Sequence, residues 1–131
     1  QLSDSCMFRN VDCQNGSVAD LEFIADFQVV AHKSGKCDAM LTWFDTIFRE
    51  KCDREVVFTT GPHVPHEKQT HWKQTALYLA EPVMLEEGDS ISGKVHCHRR
   101  KENARHLDIL LEYAHTKKGS TVRGENKFQN Y

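Results

Sequence analysis

The chain of 131 residues has little of what marks a nucleotide, metal or disulfide protein. Neither GxGxxG nor a GxxxxGK phosphate loop occurs, and the seven glycines stand singly, as turn residues do. No CxxC is present, which removes the commonest spacing of a structural zinc site. The five cysteines (Cys6, Cys13, Cys37, Cys52 and Cys97) are odd in number and irregularly spaced. That pattern fits free thiols in a reducing compartment better than a disulfide framework. No apolar run approaches the roughly 18 residues of a membrane span, and mean hydropathy is −0.60. The opening Gln1-Leu2-Ser3-Asp4-Ser5 has neither the basic start nor the apolar stretch of a signal peptide, and no initiator Met precedes it, so a fragment is expected.

What is present supports one folded domain over 1–131. Leu, Ile, Val and Phe make up 30 of the 131 residues, above the level at which a chain stays disordered. The length suits a single core. The net charge of −2 conceals an asymmetry: residues 94–131 hold 9 Lys/Arg against 4 Asp/Glu, and residues 1–93 hold 8 against 15. An acidic larger part argues against direct nucleic-acid binding and fits either a basic partner or a solvated acidic face.

The dominant period is two. Leu21, Phe23, Ala25, Phe27 and Val29 share one face of a strand, with Glu22, Asp26 and Gln28 on the other. His32 to Lys36 reads as a turn. Ala39 to Phe48 predicts a second strand, apolar on both faces in places and therefore central. Glu55 to Thr60 predicts a third. Two prolines and a glycine force a loop over Gly61 to Gln69. Strand character returns over Trp72 to Leu79, Ser90 to His98 and His106 to Ala114, with a turn at Glu86-Glu87-Gly88-Asp89 and a charged loop from Arg99 to Asn103. The tail from Thr116 is polar, with Val122 and Phe128 as its only anchors. The expected fold is all-β, an antiparallel barrel or sandwich of about six to eight strands.

Chemistry concentrates in Thr70-His71-Trp72-Lys73-Gln74, where the proline loop re-enters a strand. His71 can act as a general base or an orienting group, because imidazole titrates near neutrality. Trp72 can stack on a planar cation such as a guanidinium. Spacing alone equally allows a loop histidine bonded to backbone and a core tryptophan. His96 and His98 share a strand face, with Cys97 on the other, but two histidines need further ligands and no metal site is assigned. Glu86 and Glu87 read as a solvated turn. Arg99-Arg100-Lys101 with Arg105 forms a basic patch without interleaved aromatics.

At Thr70-His71-Trp72-Lys73-Gln74 the sequence resembles the protein arginine methyltransferases. Phe58-Thr59-Thr60-Gly61-Pro62 and Pro65 resemble that family's strand and proline loop before its Thr-His-Trp motif. Thr75-Ala76-Leu77-Tyr78-Leu79, Gly88-Asp89-Ser90-Ile91-Ser92-Gly93 and Arg105-His106-Leu107-Asp108-Ile109 resemble later strands and turns. The resemblance implies the C-terminal β-barrel of an enzyme that moves methyl groups from S-adenosylmethionine to arginine guanidino nitrogens. The cofactor would be bound by a Rossmann-like domain absent from this chain, so the fragment alone would be inactive.

The same resemblance implies His71 as the catalytic residue, paired with an acidic residue of the other domain, Trp72 as a wall of the arginine pocket, and Thr70 as a shaper of the loop. No residue here would bind cofactor or metal. Implied partners are an arginine-rich protein or peptide, such as a histone or RNA-binding protein, and a second copy in a full-length homodimer, with no membrane. The implied location is cytoplasm and/or nucleus. Two features depart from the family: the Pro65-to-Thr70 loop is longer, and Glu86-Glu87 does not match the family's double-glutamate hairpin. The alternative is a stand-alone β-sandwich that binds a peptide or sugar. The two readings differ in whether the chain before Gln1 encodes a cofactor domain.

Overall fold

Alternation of apolar and polar residues builds the largest sheet, and burial follows it residue by residue. In β1 (Phe23–Val30) Ala25, Phe27 and Val29 are buried while Ile24, Asp26, Gln28 and Val30 are exposed. A computed structural model describes residues 1–49, 53–65, 70–103, 105–117 and 120–129. After β1 come β2 (Gly35–Thr42), β3 (Asp45–Phe48), β4 (Val56–Thr59), β5 (Thr75–Leu85), β6 (Ser90–Arg99), β7 (Leu107–Lys117) and β8 (Ser120–Gln129). A 3-10 turn over Val18–Leu21 is the only helical element among the described residues. The expected all-β fold is thus found, distributed over three sheets: β1-β6-β7-β8, β2-β5 and β3-β4. The β1–β6, β3–β4, β6–β7 and β7–β8 ladders are antiparallel.

The chain forms two compact units, Gln1–Asp38 with Tyr78–Tyr131, and Ala39–Leu77. The first holds the four-stranded sheet. Its core is drawn from alternate positions: Ala25, Phe27 and Val29 of β1, Ile91, Val95 and Cys97 of β6, Leu111 and Tyr113 of β7, and Leu79, Val83 and Leu85 of β5. Ile91 and Leu111 are the most deeply buried large side chains, each worth roughly 1.5–3 kcal/mol of transfer free energy. The Tyr113 hydroxyl accepts the Glu81 N–H at 3.4 Å, and the ring lies over Gly124 of β8. A Cβ at 124 would fall 2.4 Å from the Tyr113 oxygen, so the glycine is required by close approach.

Several sequence boundaries shift. The strand expected at Leu21 begins at Phe23, because Leu21 closes the 3-10 turn, and the turn expected through Lys36 yields to β2 at Gly35. Ala39 to Phe48 is not one central strand. It breaks at Trp43-Phe44 into β2 and β3, and Ile47 and Phe48 are exposed, not central. Trp72 lies before β5 rather than in it, and β5 runs past Leu79 to Leu85 through Pro82. A strand with a ladder neighbour on one side only tolerates a residue without an N–H. The tail is a full strand, paired with β7 from Lys117↔Ser120 to Asp108↔Gln129. Val122 is exposed and anchors nothing; Gly124, Asn126 and Phe128 take the inward positions.

The turn between β5 and β6 carries a buried polar pair. Asp89 N–H donates to the Glu86 carbonyl at 3.0 Å, and Gly88 takes φ +88°, a conformation that glycine alone adopts freely. Asp89 Oδ2 accepts the Glu86 N–H at 2.8 Å and lies 3.2 Å from His115 Nε2 of β7; both side chains are buried. The Asp89 carbonyl accepts the Ala31 N–H at 2.8 Å, which ties the turn to the end of β1. The Glu86 N–H holds the Asp89 carboxyl below the ordinary carboxylate range; burial opposes this, and His115 and Lys117 reinforce it.

Replacing Gly88 by Ala is expected to destabilise the chain by about 1–2 kcal/mol in denaturant titration. Because folding lowers the Asp89 pKa, its contribution to stability is complete above the unfolded value of about 3.9 and fades as pH falls through the folded one. Asp89→Asn is therefore expected to melt below the parent near neutrality, with the gap narrowing below about pH 3.9 in thermal scans.

Candidate functional site

Ala39–Leu77 is organised around one buried hydroxyl. In the β3–β4 hairpin, Asp45 to Phe48 pair with Thr59 back to Val56. At its open end the ladder gives way to a side-chain clasp. Thr60 Oγ1 donates to the Phe44 carbonyl at 3.0 Å and accepts the Phe44 N–H at 3.2 Å, while the Thr60 N–H also donates to the Phe44 carbonyl. Thr60 is buried. With both main-chain groups of Phe44 committed to Thr60, β2 cannot run on into β3.

The clasp places an aromatic frame. Trp72 meets Phe58 edge-on at 5.6 Å between ring centroids and Phe44 edge-on at 6.2 Å. Such pairs contribute about 0.5–1.5 kcal/mol each beyond area burial. The Gln74 amide donates to the Thr60 carbonyl at 2.5 Å, joining the segment after Trp72 to the same residue. Thr70 Oγ1 accepts the Trp72 N–H at 3.2 Å, a local turn that fixes the path through His71.

The three predicted residues are therefore together. The His71 ring lies 4.1 Å from the indole centroid, tilted by 33°, and is exposed, with no hydrogen-bond partner among the described residues. Trp72 is 51% exposed, so it is not a core tryptophan. Thr70 is half-buried. Beside them a pocket of about 60 Å³ is lined by Thr60, Gly61, Val64, Thr70, Trp72 and Gln74 among others. That is room for about two waters. Sequence reasoning missed Phe44, Phe58 and Thr60 as supports, since nothing in their spacing marks residues 12 to 28 positions away as neighbours of Trp72. Expectations for His66–Gln69 and Cys52 lie outside the described residues.

The other candidates are in structural contacts. Lys117 Nζ pairs with Glu86. Arg99 pairs with Glu22 at 3.1 Å and Arg100 with Asp108 at 2.6 Å, so half of the basic patch is neutralised. Cys97 is buried on the core face and burial pushes its thiol pKa up. His96 lies on the opposite face, with Nε2 3.1 Å from Glu112 Oε1. Among the described residues, no group of three or more His, Cys, Asp or Glu is placed to hold a metal, and no helix is long and apolar enough to cross a membrane.

Residues 1–118 match the family model described as the arginine methyltransferase oligomerization subdomain. The chain is 37% identical over 103 residues to protein arginine N-methyltransferase 1 of Saccharomyces cerevisiae, covering 78% of this chain and 29% of that protein. It is 34% identical over 113 residues to the probable protein arginine N-methyltransferase 1.2 of Arabidopsis thaliana, covering 86% and 30%. The chain thus spans about three-tenths of the length of these curated relatives. The solved Trypanosoma brucei PRMT1 enzyme-prozyme heterotetrameric complex with AdoHcy is similar at a TM-score of 0.87 and 26% identity, covering 98% of this chain and 39% of that one. Arabidopsis thaliana protein arginine methyltransferase 10, in an open conformation, shares the fold at a TM-score of 0.87 and 22% identity, covering 98% and 38%.

Thr60→Val keeps the shape of the clasp but strips Phe44 of its side-chain partner. It is expected to destabilise by about 1–3 kcal/mol in chemical denaturation, with loss of near-ultraviolet tryptophan dichroism.

Proposed function

The chain belongs to the protein arginine methyltransferase family, and on that premise we propose that it is the β-barrel lobe of an enzyme that methylates arginine guanidino nitrogens of protein substrates. The observation that carries this reading is the half-exposed Trp72 indole, braced edge-on by Phe44 and Phe58, with the His71 ring beside it. An aromatic face supported from its edges suits a planar cation, and arginine is the planar cation of proteins.

S-adenosylmethionine, when bound, supplies an electrophilic methyl group. The residues described beside Trp72 do not fit that cofactor: their pocket holds about 60 Å³, room for waters alone. By the family resemblance the methyl donor belongs to a separate cofactor domain, and this lobe walls the arginine cleft. Trp72 orients the guanidinium against its indole. Thr70 holds the chain path that presents the two rings. His71 stands free to hold or accept a proton at a ring nitrogen as the guanidino group loses one, and an acidic residue of the cofactor domain would orient it. Much of the rate would come from holding acceptor and donor in line.

The substrates are arginine-rich proteins or peptides, and the assembled enzyme is a homodimer. The thiols of Cys6, Cys13 and Cys97 support a reducing compartment, the cytoplasm and/or nucleus.

In the protein carrying both lobes, His71→Ala is expected to lower kcat about 10²–10⁴-fold. Trp72→Ala should raise KM for an Arg/Gly-rich peptide, with far-ultraviolet dichroism unchanged for both. Parental methylation rates in both variants would overturn the assignment.

A further inference from the structure

Adjacent residues of an extended chain send their side chains to opposite sides. His71 and Trp72 do not. Thr70 Oγ1 accepts the Trp72 N–H at 3.2 Å and donates to the Trp72 carbonyl at 3.4 Å, a turn that lets the two rings meet. Their centroids lie 4.1 Å apart, with the planes tilted by 33°. Among the described residues three rings touch the indole, and His71 is the one that stacks. Phe44 and Phe58 stand at 71° and 86° to it. The stack is also lightly held. His71 is exposed and has no hydrogen-bond partner among the described residues, so its ring can leave the indole without orphaning a buried polar group.

A cation that binds an indole lies over its face, within about 6 Å of the ring centre. The His71 imidazole already occupies such a place. Once protonated it is a planar cation, as a guanidinium is. Arginine keeps its charge at every working pH, whereas imidazole gains or loses one near neutrality. The groups around His71 leave that contrast intact. Trp72, Phe44 and Phe58 do not titrate, Thr70 is neutral, and Lys73, the charged chain neighbour, is exposed. Among the described residues no carboxylate pairs with His71.

We propose that His71 regulates the Trp72 surface by occupying it. As imidazolium the ring stays on the indole and excludes the substrate guanidinium; as neutral imidazole it yields. This rests on the reading of Trp72 as the arginine wall. It gives His71 an effect on substrate binding that is separate from proton transfer. Losing a proton acceptor in acid lowers kcat, whereas self-occupancy weakens the hold on the peptide before any methyl group moves.

Fluorescence anisotropy tests this in the protein carrying both lobes, without methyl donor and at constant ionic strength. The probe is an N-terminally labelled Arg/Gly-rich peptide free of His, Asp and Glu. The parent Kd is expected to rise about two- to fivefold between about pH 8 and about pH 5.5, the span of an exposed cation–π contact. His71→Gln, which does not titrate, should bind equally at both and match the tighter parental value. In the chain alone, the His71 ring protons should carry an upfield NMR shift that Trp72→Leu removes, with far-ultraviolet dichroism unchanged. Three results would overturn the proposal while Trp72→Ala still abolishes binding: a parental Kd indifferent to pH, the same pH response in His71→Gln, or weaker acid binding by His71→Gln than by the parent. Absence of the upfield shift would overturn it too. If Trp72→Ala binds the peptide as the parent does, the arginine wall itself is wrong and the proposal falls with it.

Discussion

The candidate site rests on the buried hydroxyl of Thr60. A buried polar group must find partners, and Thr60 finds them on both main-chain groups of one residue, Phe44. This ends one strand, starts the hairpin and turns the Phe44 ring toward Trp72. The carbonyl of the same residue holds Gln74. The path before the clasp and the path after the Thr-His-Trp segment thus converge on one residue. Phe58 on a hairpin of two four-residue strands, and Phe44 just before it, would otherwise have little to fix them, since an isolated hairpin is marginal in water.

The parts legible in sequence were those in which one face of a strand is buried. Phe23, Ala25, Phe27 and Val29, and later Ile109, Leu111 and Tyr113, alternate because one side meets a core and the other does not. Ala39 to Phe48 misled for the opposite reason. Apolar residues on both faces suggest a doubly covered strand, yet Ile47, Phe48, Val56 and Val57 are each about half exposed. β8 was hidden because its inward positions are Gly124, Asn126 and Phe128, and the volume that fills the gap comes from Tyr113 on the neighbouring strand. In the site, Thr70, His71 and Trp72 were visible as a motif. Their supports were not, since contacts between Phe44, Phe58 and Trp72 are set by the clasp and not by periodicity.

The charge asymmetry also takes on a different meaning. Three ion pairs join the acidic larger part to the basic remainder: Asp26 with Lys94, Glu22 with Arg99 and Glu86 with Lys117. Each is exposed and worth little alone. Together they neutralise locally much of what the sequence suggested as an acidic field for a basic partner. On the proposed reading, attraction for an arginine side chain would fall to the aromatic surface of Trp72 more than to a long-range potential.

Tyr113 and Gly124 occupy one volume from two strands. The phenol oxygen accepts the Glu81 N–H at 3.4 Å, so admitting even a methyl group at 124 requires the ring to shift and strain or give up that contact. Neither position can drift by itself. The two positions are coupled in volume: a side chain at 124 is admitted only together with a displaced or smaller residue at 113.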